Sequence, residues 1–88
     1  MNNRFVLFTA RHSSPEIEGL PSVFNETTDV WNLVYSPEFT DFVTQDMEDP
    51  IIIYVTGLTM GTIQVMRDFY WRCVFMCYDR DSDSYREF

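Results

Sequence analysis

The stretch Pro50-Ile-Ile-Ile-Tyr-Val-Thr56 decides the fold, because it is an unbroken run of β-branched and aromatic residues after its proline. Such a run is typical of a strand that is buried on both faces of a sheet. Proline has no amide hydrogen to give to a neighbouring strand, so Pro50 can occupy only the first position. The following Gly57-Leu-Thr-Met-Gly61 segment predicts a tight turn, since it lacks the lysine and the spacing of phosphate-binding glycine loops.

Downstream of this turn, apolar residues recur at helical spacing. They are Ile63, Met66, Tyr70, Val74 and Cys77. The spacing predicts a helix over residues 60–77, with a strand as the alternative for its second half. Residues 79–88 alternate in charge and are expected to form a partly mobile acidic tail.

Upstream of the central run, residues 4–9 are short, β-branched and aromatic, which predicts a strand. Residues 12–21 contain two prolines and a glycine without periodicity, which predicts an exposed loop. Residues 28–35 fit both a strand and a short helix, and we favour a helix.

The clearest amphipathic helix begins at Ser36-Pro37-Glu38. Serine is a good N-cap, proline suits the first helical position, and an acid there meets the positive end of the helix dipole. Phe39, Val43 and Met47 then recur every four residues, as the buried side of such a helix requires.

Together these elements predict one α+β domain over residues 1–88, with a short sheet, two to three helices and an acidic face on one helix. The chain has 88 residues, and compact domains run from about 50 to 250. Its 17 per cent of aromatic residues supply bulk for a small core.

The charge balance argues against direct nucleic-acid binding. The sequence has fourteen acids, six arginines and no lysine, for a net charge of −8, whereas phosphate binding needs clustered cations. No apolar run approaches the roughly 18 residues that span a bilayer. We therefore expect a protein without membrane association, located in the cytoplasm of a host cell.

Several groupings resemble reactive sites, but each has a simpler explanation. Cys73 and Cys77 are half of a zinc site at most, and we expect buried, reduced thiols. Asp79, Asp81 and Asp83 match the start of a calcium loop that lacks its glycine and its last acid. His12 beside two serines lacks the spatial arrangement of a hydrolytic triad. The sequence predicts no enzyme, no cofactor and no metal.

One distribution stands out, because nine acids and no lysine or arginine lie between His12 and Met66. On a helical wheel that starts at Pro37, Glu38, Asp41, Glu48 and Asp49 share the face opposite the apolar residues, and Asp46 lies nearer to those residues. The nine acids are Glu16, Glu18, Glu26, Asp29, Glu38, Asp41, Asp46, Glu48 and Asp49.

These carboxylates have two interpretations. Three-residue spacing on a helix separates them by about 4.5 Å along the axis, close to the ~3.4 Å axial advance per nucleotide of a DNA strand. They can thus mimic phosphates and attract a basic DNA-binding groove. The alternative is a solvated acidic face that only maintains solubility.

In size, acidity and lack of a catalytic motif, the chain resembles the small DNA-mimic proteins of bacteriophages, and among them the Arn-type antirestriction family of T-even phages. This resemblance implies an acidic homodimer that blocks the McrBC restriction complex of the host. It implies that the nine acids are the phosphate mimics. The alternatives are another phage inhibitor, such as an anti-CRISPR protein, and an adaptor that binds a protein through an aromatic surface.

A homodimer is also expected from the surplus of aromatic residues in so small a chain. A helix over residues 69–78 would be apolar on nearly every side and would need a partner to cover it. The predicted interface residues are Tyr70, Trp71, Phe75 and Met76.

Overall fold

Four strands and two helices alternate along the part of the chain that the computed structural model describes, namely residues 3–8, 14–26, 29, 31–45, 48–57 and 59–88. In chain order the elements are β1 (Arg4–Val6), α1 (Pro37–Gln45), β2 (Ile51–Tyr54), α2 (Thr59–Phe69), β3 (Cys73–Asp79) and β4 (Ser84–Glu87). A small domain with one mixed sheet agrees with the predicted α+β class, with two helices. Neither helix combines the length and apolar character that crossing a bilayer requires.

The sheet has the strand order β1-β2-β3-β4. The first three strands are parallel, and β4 returns antiparallel to β3. Ile53 of β2 lies opposite Phe5 of β1 and Phe75 of β3. The predicted inner strand is therefore confirmed, because β2 is hydrogen-bonded along both edges.

The two faces of the sheet are covered differently. Both crossovers advance in the same direction across the sheet, and right-handed crossovers then place both helices on one face. On this helix face, the Phe39 and Phe42 rings of α1 lie 5.2 and 5.6 Å from the ring of Phe5. Val65 of α2 is buried in the same cluster. Tyr54 points to the opposite face, which we call the loop face.

The loop face is covered by the segment that follows β1. Ile17 is buried there against Val6 and Tyr54, and Leu20 packs against the same cluster. Because β-strand side chains alternate between faces, Met76 of β3 also lies on this face.

The predicted start of α1 is confirmed. The Ser36 hydroxyl oxygen accepts the backbone N–H of Phe39 at 3.2 Å, as an N-cap does. The same hydroxyl donates to the carbonyl of Ser22 at 2.6 Å, which ties the helix to the loop after β1. Ser36 is buried, so both bonds are shielded from water.

The predicted helix over residues 60–77 is wrong in its second half. α2 ends at Phe69, and β3 begins at Cys73 beside β2. Apolar residues at helical spacing continue past the helix end, but parallel pairing with the isoleucines of β2 decides the conformation. The strand alternative is the correct one.

β4 lies within residues 79–88, for which the alternating charges predict a partly mobile tail. Asp79 shapes the turn that returns the chain, because its carboxylate accepts the Asp81 N–H at 3.0 Å and the Ser82 hydroxyl at 3.1 Å. It also forms a 3.1 Å ion pair with Arg86 of β4. These contacts of Asp79 stabilise the turn that joins β3 and β4 into a hairpin.

The helix favoured for residues 28–35 is also wrong for the part that the structure describes. Asp29 and residues 31–35 contain no helix, and Tyr35 forms an antiparallel bridge with Phe24. The Asp29 carboxylate accepts the N–H of Trp31 at 3.1 Å, which favours a turn over a helix.

Replacing Gly57 with alanine should destabilise the fold. Gly57 has φ of +86°, and a Cβ would lie 2.9 Å from the ring of Phe8. The left-handed backbone costs about 1–2 kcal/mol and the steric overlap about 1–3 kcal/mol more. Gly19→Ala is a matched control, because Gly19 has φ of +78° with nothing near its Cβ position. Urea unfolding should show the larger loss for Gly57→Ala; equal losses would contradict the packing argument.

Candidate functional site

Two of the predicted phosphate mimics share the solvent side of α1. Glu38 and Asp41 are exposed, whereas Phe39 and Phe42 of the same helix are buried. Their three-residue separation corresponds to about 4.5 Å along the helix axis. Both carboxylates therefore face solvent on the same side of α1.

Glu48 and Asp49 do not belong to that helical face. α1 ends at Gln45, so the wheel does not apply to them, although both are exposed directly before β2. The backbone carbonyl of Asp49 accepts two bonds from the Arg72 guanidinium, at 3.2 and 2.8 Å. A cation therefore stands beside the acids at this end. Asp46 lies outside the described residues.

Glu26 and Asp29 lie in the connection between Phe24 and Tyr35, which are joined by the bridge. Both acids are exposed. Ser36 alone separates Tyr35 from the start of α1, so this connection leads directly into the helix. Six predicted mimics therefore flank or lie on α1, and we call them the α1 acids: Glu26, Asp29, Glu38, Asp41, Glu48 and Asp49.

Glu16 and Glu18 belong to a different surface. They adjoin Ile17, which packs on the loop face of the sheet, opposite the helices. The Glu16 carboxylate accepts the backbone N–H of Tyr85 at 3.2 Å, on the outer edge of β4. Glu16 thus satisfies a donor that an edge strand would otherwise present. The predicted mimics that the structure describes therefore lie on more than one surface.

The four predicted interface residues do not form one surface either. Tyr70 and Trp71 are exposed beyond α2. Phe75 packs against the core of the helix face, whereas Met76 packs on the loop face. They diverge because neighbouring residues of a strand point to opposite faces.

Exposed apolar residues form a stripe along α2 and just beyond its end, and the sequence interpretation names only two of them as surface residues. Ile63, Met66 and Tyr70 are 57, 47 and 68 per cent exposed, and Trp71 beside them is 65 per cent exposed. The spacing of Ile63, Met66 and Tyr70 belongs to the pattern that predicts the helix over residues 60–77, and Tyr70 and Trp71 are two of the predicted interface residues. Gly61 and Val65 are the buried residues of α2, so the stripe faces solvent. We call these four residues the α2 stripe.

Asp68 is an acid that the sequence interpretation did not use. Its carboxylate accepts the Tyr35 hydroxyl at 2.6 Å. Burial, together with this bond, raises the pKa of Tyr35. The pair joins α2 to the segment before α1, so Asp68 has a structural role.

The residues with metal or redox chemistry are not assembled into a site. Among the described residues, no group of three His, Cys, Asp or Glu side chains could hold a metal ion. Cys73 and Cys77 are both free thiols, and burial raises the pKa of Cys73 to about 12. His12 lies outside the described residues.

Comparisons with protein-family models, with characterised proteins and with solved structures give no match for this chain.

Cys73 should be unreactive in the folded protein. At pH 8, a thiol with a pKa near 12 has about a thousandfold less thiolate than an unfolded cysteine, and only the thiolate reacts. In a Cys77→Ser variant, iodoacetamide should alkylate the folded protein about a thousandfold more slowly than the urea-unfolded protein. Comparable rates would show that Cys73 is accessible and ionised.

Proposed function

We propose that this protein is a DNA mimic that inhibits a DNA-binding protein of the host, with a restriction endonuclease complex as the foremost target. The observation that carries the proposal is the exposed pair Glu38 and Asp41 on α1. Further exposed acids precede and follow this helix, and the segment between His12 and Met66 contributes no cation.

The physical basis is electrostatic. Helical carboxylates that are about 4.5 Å apart along the helix axis present negative charge at axial intervals close to the ~3.4 Å advance per nucleotide of a DNA strand. Such a surface attracts a basic groove at long range, and salt screens the attraction. The repulsion between neighbouring acids costs only a few tenths of a kcal/mol per pair, which the core tolerates.

The predicted mimics lie on separate surfaces, so only some of them belong to the proposed contact surface. Glu16 caps the edge of β4, and Glu18 lies beside it on the loop side. The proposed contact surface therefore comprises the α1 acids, and Glu16 and Glu18 are left out of it.

The target can be sought by affinity capture from a bacterial lysate at low and high salt, with mass spectrometry. Capture should fall as salt rises, and duplex DNA should compete. The Glu38→Lys/Asp41→Lys/Glu48→Lys variant should bind about 100-fold more weakly, if each reversal costs at least about 1 kcal/mol. Inhibition of DNA cleavage by the captured enzyme should weaken in parallel.

A second triple variant distinguishes the effect of this surface on binding from the effect of net charge. Glu18→Lys/Asp81→Lys/Glu87→Lys changes three exposed acids outside the α1 group, with the same change in net charge. It should bind within about threefold of wild type once salt screens long-range steering. If both variants lose binding equally, or if inhibition survives the α1 reversals, mimicry through α1 is wrong.

We also propose that the protein is a homodimer through the α2 stripe. Within residues 50–71 the one acid is Asp68, which is paired with Arg67 and accepts the Tyr35 hydroxyl, so two chains of charge −8 meet there with little repulsion. The four side chains expose apolar area on the order of 400 Å². That area can form the centre of an interface of about 800 Å² per subunit.

Met66→Lys should shift the protein from dimer to monomer in light scattering after size exclusion. Burying a lysine at the centre of an apolar contact is unfavourable. Thr40→Lys, which adds the same charge to exposed α1, should remain dimeric. A wild-type monomer at micromolar concentration would refute the dimer.

The α2 stripe also supports the second candidate function, an adaptor that binds another protein through apolar contacts. In that case capture would change little with salt, because apolar contacts are not screened. Capture of the partner would be lost in Met66→Lys and retained in Glu38→Lys/Asp41→Lys/Glu48→Lys.

A further inference from the structure

A cleft of about 570 Å³ opens where the parallel strands of the sheet end. Thr56 and Gly57, just after β2, line one side of it. Tyr78 near the end of β3, Arg80 in the following turn and Tyr85 of β4 line another. This volume lies within the range of small-molecule sites, about 300–1,000 Å³.

The side of the cleft formed after β2 is held in place before any ligand arrives. The Thr56 hydroxyl donates to the carbonyl of Phe8 at 2.9 Å and accepts its N–H at 3.3 Å. These bonds fasten the ends of β1 and β2 together. Gly57 approaches the ring of Phe8 too closely for any side chain.

Arg80 gives the cleft a cation that is available to a ligand. Among the described residues it forms no ion pair, whereas three other arginines have partners in the protein. Arg67 pairs with Asp68, Arg86 pairs with Asp79, and Arg72 donates to the carbonyl of Asp49. A guanidinium binds phosphate through two parallel hydrogen bonds.

The tyrosines offer an aromatic wall. The rings of Tyr78 and Tyr85 lie 5.6 Å apart at 65°, and Tyr85 is braced by Tyr54 on its other side. Tyr78 is about half exposed, so its ring is available for stacking. Its hydroxyl donates to the carboxylate of Asp83, which fixes the ring beside Arg80.

We propose that the cleft binds a nucleoside monophosphate, with its base stacked on Tyr78 and its phosphate at Arg80. The volume suits one nucleotide. Arg80 is the one cation among the described residues that line the cleft, and the protein has a net charge of −8, which favours one phosphate over a triphosphate or a DNA strand. Asp83 beside Arg80 can accept a hydroxyl of the sugar. This site is separate from the α1 acids and independent of DNA mimicry.

The test is calorimetric titration of the full chain with AMP, GMP, CMP and UMP at low salt. At least one should bind saturably, and the corresponding nucleoside should bind at least tenfold more weakly. Arg80→Gln should lose at least tenfold in affinity, as expected for a charge-assisted bond. The affinity of Arg80→Lys should lie between those of wild type and Arg80→Gln, because lysine keeps the charge but lacks the planar guanidinium that forms two parallel bonds.

Arg67→Gln is the matched control, since Arg67 lies on α2 outside the cleft and carries the same charge. It should bind as wild type does. Tyr78→Leu should reduce nucleotide binding and leave competition by inorganic phosphate unchanged. The proposal is overturned if none of the four nucleotides binds below 10 mM (on the order of the weakest useful affinity), or if Arg80→Gln binds as tightly as wild type.

Discussion

The rest of the structure depends on the burial of β2 between two parallel neighbours. Ile51 and Ile53 are fully buried on the helix face, and Tyr54 is buried on the loop face. Each fully buried side chain of this size contributes roughly 1.5–3 kcal/mol. β2 pairs with β1 along one edge and with β3 along the other. The crossovers that connect them then place both helices on one face.

Aromatic contacts complete this small core. The ring of Phe39 on α1 lies 5.2 Å from Phe5 of β1, 5.3 Å from Tyr35 and 5.5 Å from Phe69 of α2. Phe24 stacks on Tyr35 at 5.0 Å and extends the cluster to the loop after β1. One helix residue thereby links a strand, a loop and the other helix. The outer side of α1 is left free to carry acids, because its inner side supplies the packing.

The surface has three regions of different character. The α1 acids provide negative charge, the α2 stripe provides exposed apolar area, and the cleft beside β4 provides an arginine among tyrosines. An acidic protein gains from such separation, since apolar contacts form best where like charges are absent. A partner drawn by charge and a second copy drawn by apolar area would therefore bind at different places. The cleft is too small and too weakly basic to compete for either.

The sequence alone determined the inner strand, the start of α1 at its serine cap and the exposure of Glu38 and Asp41, because these follow from local periodicity and capping. It did not determine where α2 ends, since apolar residues at helical spacing run on into β3. Pairing with β2 decides that point, and such pairing between distant residues leaves no local signal. The position of Glu16 was not predictable from the sequence for the same reason, because only the folded chain brings it to Tyr85 of β4 and away from the other acids. Local periodicity and capping determined β2 and the start of α1, and contacts between residues far apart in the chain determined β3 and which charges and rings share a surface.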